Sequence, residues 1–219
     1  MIGKVASKPI LNDVVNWGVQ SKTVRKALDK TLDIHEAATL PAYQKETGRS
    51  RIKKLSINTK GTSSLQEEAS QESVALFTTC YCNYNEPSII ESLTKILKHN
   101  DISVELLERE HCCGMPKLEL GDLQSVTRLK ELNIPALFDA VQRGVKIVAP
   151  IPSCVLMYKQ ELPLMFPDDE QVSRVAEAFF DPFEFLHLLH KNKKLNTEFI
   201  NSLGTVSYHV ACHQRVQNI

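Results

Sequence analysis

An α/β fold, with a parallel doubly wound sheet and helices on both faces after a short helical N-terminal segment, follows from three observations. From residue 74 onward, short apolar runs alternate with stretches whose apolar residues recur at helical spacing. Strands alternating with helices imply right-handed crossovers and parallel pairing. Each group of cysteines also falls where a predicted strand has just ended: Cys80 and Cys82, Cys112-Cys113, Cys154, and Cys212. In an open parallel sheet those strand ends converge on one rim, where ligands bind.

The elements follow in order. Val14, Val15, Val19 and then Val24, Ala27, Leu28, Leu32 predict two short helices with a break near Gly18, and Leu40-Pro41-Ala42-Tyr43 predicts a helix stop. Residues 1–56 thus form a helical connector without a closed core, and residues 57–73, rich in Ser, Thr and Glu, a polar linker. Val74 to Thr79 is a buried strand running into Cys80. Pro87 to Leu97 is a helix with Pro in its first turn. Ile102 to Leu107 is the second strand, and Leu123 to Arg143 is helical with a break near Asn133-Ile134-Pro135. Val145 to Ala149 is the third strand, leading to Cys154. Three helices fill 155–200 with Pro163, Pro167 and Pro182 as breakers. Thr205 to Val210 is predicted as a fourth strand that delivers Cys212. The domain reading is one cysteine-rich unit over 74–204 and the start of a second, uncompleted one over 205–219, seven residues past Cys212.

Composition removes several function classes. Of 219 residues, 42% are hydrophobic, enough for one sizeable core, and 26 basic residues balance 26 acidic ones. The absence of a basic stripe and an aromatic content of 6% argue against nucleic acid. No apolar run reaches the roughly 18–20 residues of a membrane span, and the N-terminus lacks a signal-peptide apolar region. The expectation is a cytoplasmic protein, with peripheral attachment to the inner face of a membrane through partners left open. Neither G-x-G-x-x-G nor G-x-x-x-x-G-K occurs, so nucleotide binding is not expected.

Cysteines in this setting serve metals or catalysis more often than disulfides. The spacings are long, with 31 residues between Cys80 and Cys112 and 40 between Cys113 and Cys154. These are not the short pairs of a zinc ribbon; the fold itself must gather the ligands. Side chains on consecutive α-carbons diverge, so Cys112 and Cys113 suit different irons of a cluster better than one ion. Gly114 permits the tight backbone such a site needs. His111 beside the pair, and His209 and His213 around Cys212, are candidates to hydrogen-bond or tune the sulfurs. His187 and His190 stand three apart on a helix without a partnering ligand. Asp122 reads as a helix N-cap, and Lys117 and Glu119 share its loop. Met115, Met157 and Met165 read as packing residues.

Cys80, Cys112-Cys113-Gly114 and a downstream cysteine together resemble the cysteine-rich, or CCG, domain family. It occurs in heterodisulfide reductase, in its B subunit, and in iron–sulfur subunits of anaerobic glycerol-3-phosphate and glycolate dehydrogenases. Cys112-Cys113-Gly114-Met115-Pro116 with Gly121-Asp122, and Tyr208-His209-Val210-Ala211-Cys212-His213, look most like stand-alone iron–sulfur oxidoreductase members. There, a ferredoxin-like segment precedes two CCG units, and residues 1–55 with Arg25 and Leu40-Pro41-Ala42-Tyr43 resemble the connector between them. The resemblance implies an iron–sulfur cluster, a [4Fe–4S] type, held by Cys80, Cys112, Cys113 and Cys154, with Cys212 opening a second unit. Two departures stand out. The family's closing Cys-x-x-Cys is here Ile151-Pro152-Ser153-Cys154, and no ferredoxin-type run of cysteines is present. Cys82 is a candidate for the missing ligand.

The function this implies is an electron-transfer subunit of a flavin- or quinone-linked oxidoreductase, an enzyme component not catalytic alone. Its partners would be a flavoprotein dehydrogenase subunit, a ferredoxin-like iron–sulfur protein, or both, and no nucleic acid. Two alternatives stay open: a thiol/disulfide reductase like heterodisulfide reductase, and a zinc-binding or metal-free scaffold.

Overall fold

The computed structural model of the chain describes residues 2–59 and 72–217. Most of the expected linker at 57–73 therefore lies outside the described residues. The chain divides into two compact units, Met1–Ser64 with Cys80–Glu91, and Leu65–Thr79 with Ser92–Ile219.

In the first unit, α1 (Ile2–Ala6), α2 (Pro9–Gln20), α3 (Lys22–Leu32) and α4 (Gly48–Thr59) come before α5 (Cys80–Tyr84) and the start of α6 (Pro87–His99). The two short helices are there, with the break three residues past Gly18. The helix runs through Gly18 and ends at Ser21, which leaves helical geometry at φ −67°, ψ 125°. One interior glycine costs only about 1 kcal/mol, and polar ties hold this helix down. Asn12 and Asn16 each donate to the Tyr43 carbonyl at 2.8 Å, and Asn16 accepts from the Tyr43 amide at 2.8 Å. Arg25 is buried and donates to the carbonyls of His35, Glu36 and Ala38, which fixes the non-helical stretch after α3.

In the second unit, β1 (Ser73–Leu76), β2 (Ser103–Leu106), β3 (Lys146–Val148) and β4 (Phe179–Phe180) form a wholly parallel sheet in the order β2-β1-β3-β4. The protein is α/β, as the sequence predicts. Past their first residues, central β1 and β3 are apolar because both faces are covered, Val74, Ala75, Leu76, Ile147 and Val148 being fully buried. The order reverses direction at β1, so the switch point lies between β1 and β3.

The connecting helices are α7 (Met115–Glu119), α8 (Leu123–Gln142), α9 (Pro152–Leu156), a π-helical turn at Met157–Glu161, α10 (Leu162–Met165), α11 (Glu170–Ala178) and α12 (Pro182–Lys191), followed by α13 (Cys212–Arg215). Among the described residues, no helix is long and apolar enough to cross a membrane.

Three sequence expectations in this unit are corrected. First, α8 is unbroken, with Pro135 inside it. An interior proline costs about 3 kcal/mol, which burial of Ile134 and Leu137 on the same helix offsets at roughly 1.5–3 kcal/mol per side chain. Second, Pro163 breaks nothing: 152–165 is one continuous helical run in which α9 passes through the π turn into α10. Third, Thr205–Val210 is not a strand. Val206 and Tyr208 are 66% and 58% exposed, and the fourth position in the sheet belongs to Phe179–Phe180. Phe179 is completely buried and stacks on Tyr158 at 4.6 Å between ring centroids.

Candidate metal centre

The segment that leaves β2 carries His111-Cys112-Cys113-Gly114, and three devices fix its path. Asn133, 2% exposed on α8, accepts from the His111 amide at 2.8 Å and donates to the Cys112 carbonyl at 3.0 Å. A buried amide that spans a loop in this way satisfies backbone groups the sheet no longer serves. Gly114 has φ +102°, a conformation that side chains rarely adopt, and a Cβ there would lie 3.5 Å from Met157 and 3.8 Å from Leu129. The Glu110 carboxylate accepts from the Thr78 amide and hydroxyl at 3.0 and 2.8 Å, and from the Thr79 amide at 2.7 Å. Those bonds stabilise Thr79 at φ +63°, a strained position for a β-branched residue directly before Cys80.

The segment that leaves β3 brings Cys154 to the same place. Pro152 starts α9, and the Cys154 amide donates to the Ile151 carbonyl at 2.9 Å. Cys113 and Cys154 are each 5% exposed, and Cys112 is half-buried. Hydrogen bonding to Cys112, then to Cys154, and then burial push the Cys113 thiol well above the ordinary thiol range. The structure thus brings Cys112, Cys113 and Cys154 together at the carboxyl ends of β2 and β3. None of the six cysteines is in a disulfide.

The remaining candidates are placed differently. Cys80 and Cys82 lie on α5 in the other unit, Cys80 exposed and Cys82 buried. There a Cβ on Gly48 would sit 2.6 Å from the Cys82 carbonyl oxygen, so only glycine fits that close approach. Cys212 is exposed at the start of α13 rather than at a strand end, and α13 packs against α9, with Gln217 donating to the Pro152 carbonyl at 3.2 Å. His111 and His209 are exposed and His213 is half-buried; His187 and His190 lie exposed on α12. Asp122 caps α8, accepting from the Ser125 amide at 3.1 Å and pairing with Lys117 at 3.0 Å. Its pKa falls to about 2 through Ser125 first and then Lys117.

Sequence comparison places part of the chain in a family. Residues 74–159 match the family model described as a cysteine-rich domain, CCG. This stretch is a CCG cysteine-rich domain. The chain is 29% identical over 151 residues to the C subunit of anaerobic glycerol-3-phosphate dehydrogenase from Escherichia coli (strain K12), an alignment covering 68% of the chain and 36% of that protein. It is 27% identical over 141 residues to lactate utilization protein A of Bacillus cytotoxicus, covering 64% and 57%. A Bacillus cereus lactate utilization protein A is 26% identical over the same length. The chain thus spans between about a third and somewhat over half of these relatives. No solved structure matches it.

The residues present in the CCG domain fit a soft metal group. Thiolates are the ligands that iron–sulfur clusters take, and a cation beside them removes the electrostatic reason for Cys113 to stay protonated. Among the described residues, no three Cys, His, Asp or Glu side chains close into a ligand set for a single ion. A cluster takes its thiolates one per iron, which suits sulfurs on diverging side chains. The Tyr158 hydroxyl, beside these thiols and 1% exposed as a residue, has no hydrogen-bond partner.

Sequence reasoning missed Asn133 and Glu110. The signal for Asn133 was available: a polar residue at a position where α8 turns its apolar face inward, three after Lys130 and one before Ile134.

Proposed function

We propose that the chain is an iron–sulfur electron-transfer component of an oxidoreductase, working beside a dehydrogenase subunit. The observation that carries this reading is the convergence of the Cys112, Cys113 and Cys154 thiols at the ends of β2 and β3. Those three would hold the cluster within the CCG domain. Cys80 and Cys82 join the ligand set on the family's sequence pattern alone, and Cys212 would belong to a second unit. The relatives' names point to dehydrogenation of a small hydroxylated substrate, with that chemistry on the partner.

When bound, a [4Fe–4S] cluster stores and releases one electron at a time. The chain's own residues do the rest. Asn133 and Gly114 hold the Cys112-Cys113 backbone in place, so the sulfurs are arranged before metal arrives. Burial of Cys113 and Cys154 keeps water from the sulfurs and protects them from oxidation.

The test is anaerobic purification, reconstitution with iron and sulfide, and measurement of iron content, visible absorption and electron paramagnetic resonance. About four irons per chain, lost in Cys112→Ser, Cys113→Ser and Cys154→Ser, is the expected result. Zinc or no metal in the reconstituted chain refutes the reading. Turnover of a disulfide by the reconstituted chain alone would replace it with the thiol reductase alternative.

A further inference from the structure

Tyr158 lies in the π-helical turn one turn after Cys154, so the two side chains share a face of the 152–165 run. Its ring is fixed from two sides. Phe77 meets it edge-on at 5.2 Å, and Phe179 stacks on it at 4.6 Å with 17° between planes. The direction of the hydroxyl is therefore set by packing. Burial first, and then the nearby sulfurs of Cys113 and Cys154 and the Glu110 carboxylate, push the phenol well above its ordinary range. Asn133 opposes that rise with a side-chain hydrogen bond, but as a donor, and its amide is committed to the backbone of residues 111 and 112. The hydroxyl is left a buried donor without an acceptor. Such a group costs about 1–3 kcal/mol, and an orphaned donor at a thiol cluster marks an acceptor that arrives with the ligand. Single π turns inside α-helices are frequent at functional sites.

We propose that Tyr158 is a positioning residue that donates a hydrogen bond to a thiolate sulfur of Cys113 or Cys154 when those sulfurs hold iron, and so raises the reduction potential of the centre. The proposal rests on the iron–sulfur reading above. A hydrogen bond to a ligand sulfur withdraws electron density and favours the reduced, more negative state.

The test compares the full chain as wild type, as Tyr158→Phe, and with 3,5-difluorotyrosine incorporated at 158, each reconstituted anaerobically and titrated by electron paramagnetic resonance. Tyr158→Phe is expected to bind the same iron and to titrate at a more negative potential, by the equivalent of a tenfold change, about 59 mV for a one-electron couple. The metal-free Tyr158→Phe protein is expected to melt no lower than wild type, since it loses only an unpaired hydroxyl. Difluorotyrosine, a stronger donor of nearly the same volume, is expected to move the potential the other way. Equal potentials in all three proteins with full iron overturn the role of Tyr158 and leave the iron–sulfur reading standing. Lack of iron in the wild type overturns that reading itself, and the role of Tyr158 with it.

Discussion

Cys113 and Cys212 occupy opposite surroundings, although both are expected from sequence at the end of a strand. Cys113 follows β2, is 5% exposed, and sits on a backbone held by Asn133 and by the positive φ of Gly114. Cys212 is exposed and opens a four-residue helix, after a segment whose Val206 and Tyr208 face solvent. What holds α13 is polar: buried Gln214 donates to Asp181 at 3.2 Å, and Gln217 to the Pro152 carbonyl. A thiol becomes part of a site when the second layer fixes its backbone, and an apolar run before it is not enough.

The comparison breaks first at the cysteines themselves. Cys113→Ser is expected to abolish iron loading, whereas Cys212→Ser is expected to retain most of it, read as iron per chain after anaerobic reconstitution. Equal losses would mean that Cys212 is as much a ligand as Cys113.

Asn133→Ala is the next largest effect. It leaves the His111 amide and Cys112 carbonyl without their partner, at a cost of about 1–3 kcal/mol. A lowered denaturation midpoint and faster iron loss to a chelator are the expected outcomes. Gly114→Ala forces a side chain into φ +102° and is expected to cost about 1–3 kcal/mol. Its counterpart is Gly18→Ala, where nothing lies within 4 Å of the added carbon inside α2. That change is expected to stabilise by about 0.5–1 kcal/mol. Thermal melts of the pair, with shifts of opposite sign, read both.

Alkylation sharpens the contrast without any substitution. In the metal-free protein, Cys80 and Cys212 are expected to react with iodoacetamide first, and Cys82 and Cys113 last, by peptide mass mapping over time. Early labelling of Cys113 would contradict the packing described for it.

The smallest effect concerns Asp181, which caps α12 and receives Gln214. Burial raises its pKa despite bonds from Phe183 and Gln214. A raised carboxyl pKa contributes stability fully present below the unfolded Asp value of about 3.9 and lost as pH rises through the folded value. Asp181→Asn is therefore expected to gain on wild type as pH increases through that window, seen as a narrowing or reversal of their difference in denaturation midpoint.

Much of the fold was legible in the sequence because buried parallel strands are continuous apolar runs, and Val74-Ala75-Leu76 and Ile147-Val148-Ala149 show this directly. The fourth strand was not, because a two-residue strand has no periodicity; Phe179-Phe180 is chosen by its contact with Tyr158. Pro135 misled, and Gly18 put the break three residues early, for one reason. A local penalty of one to three kcal/mol gives way to burial and to polar ties from distant residues. In the site, the cysteine pattern marked the thiols. Asn133, Glu110 and Tyr158 escaped notice because their roles depend on what lies opposite them, across 22, 32 and 45 residues of chain.

The central claim is that the Cys112, Cys113 and Cys154 sulfurs form one iron centre. X-ray absorption at the iron edge of the anaerobically reconstituted full chain tests it most directly. The account predicts a first shell of sulfur with iron scatterers beyond it, both lost in Cys113→Ser. A first shell of oxygen and nitrogen, or a spectrum unchanged by Cys113→Ser, would contradict it.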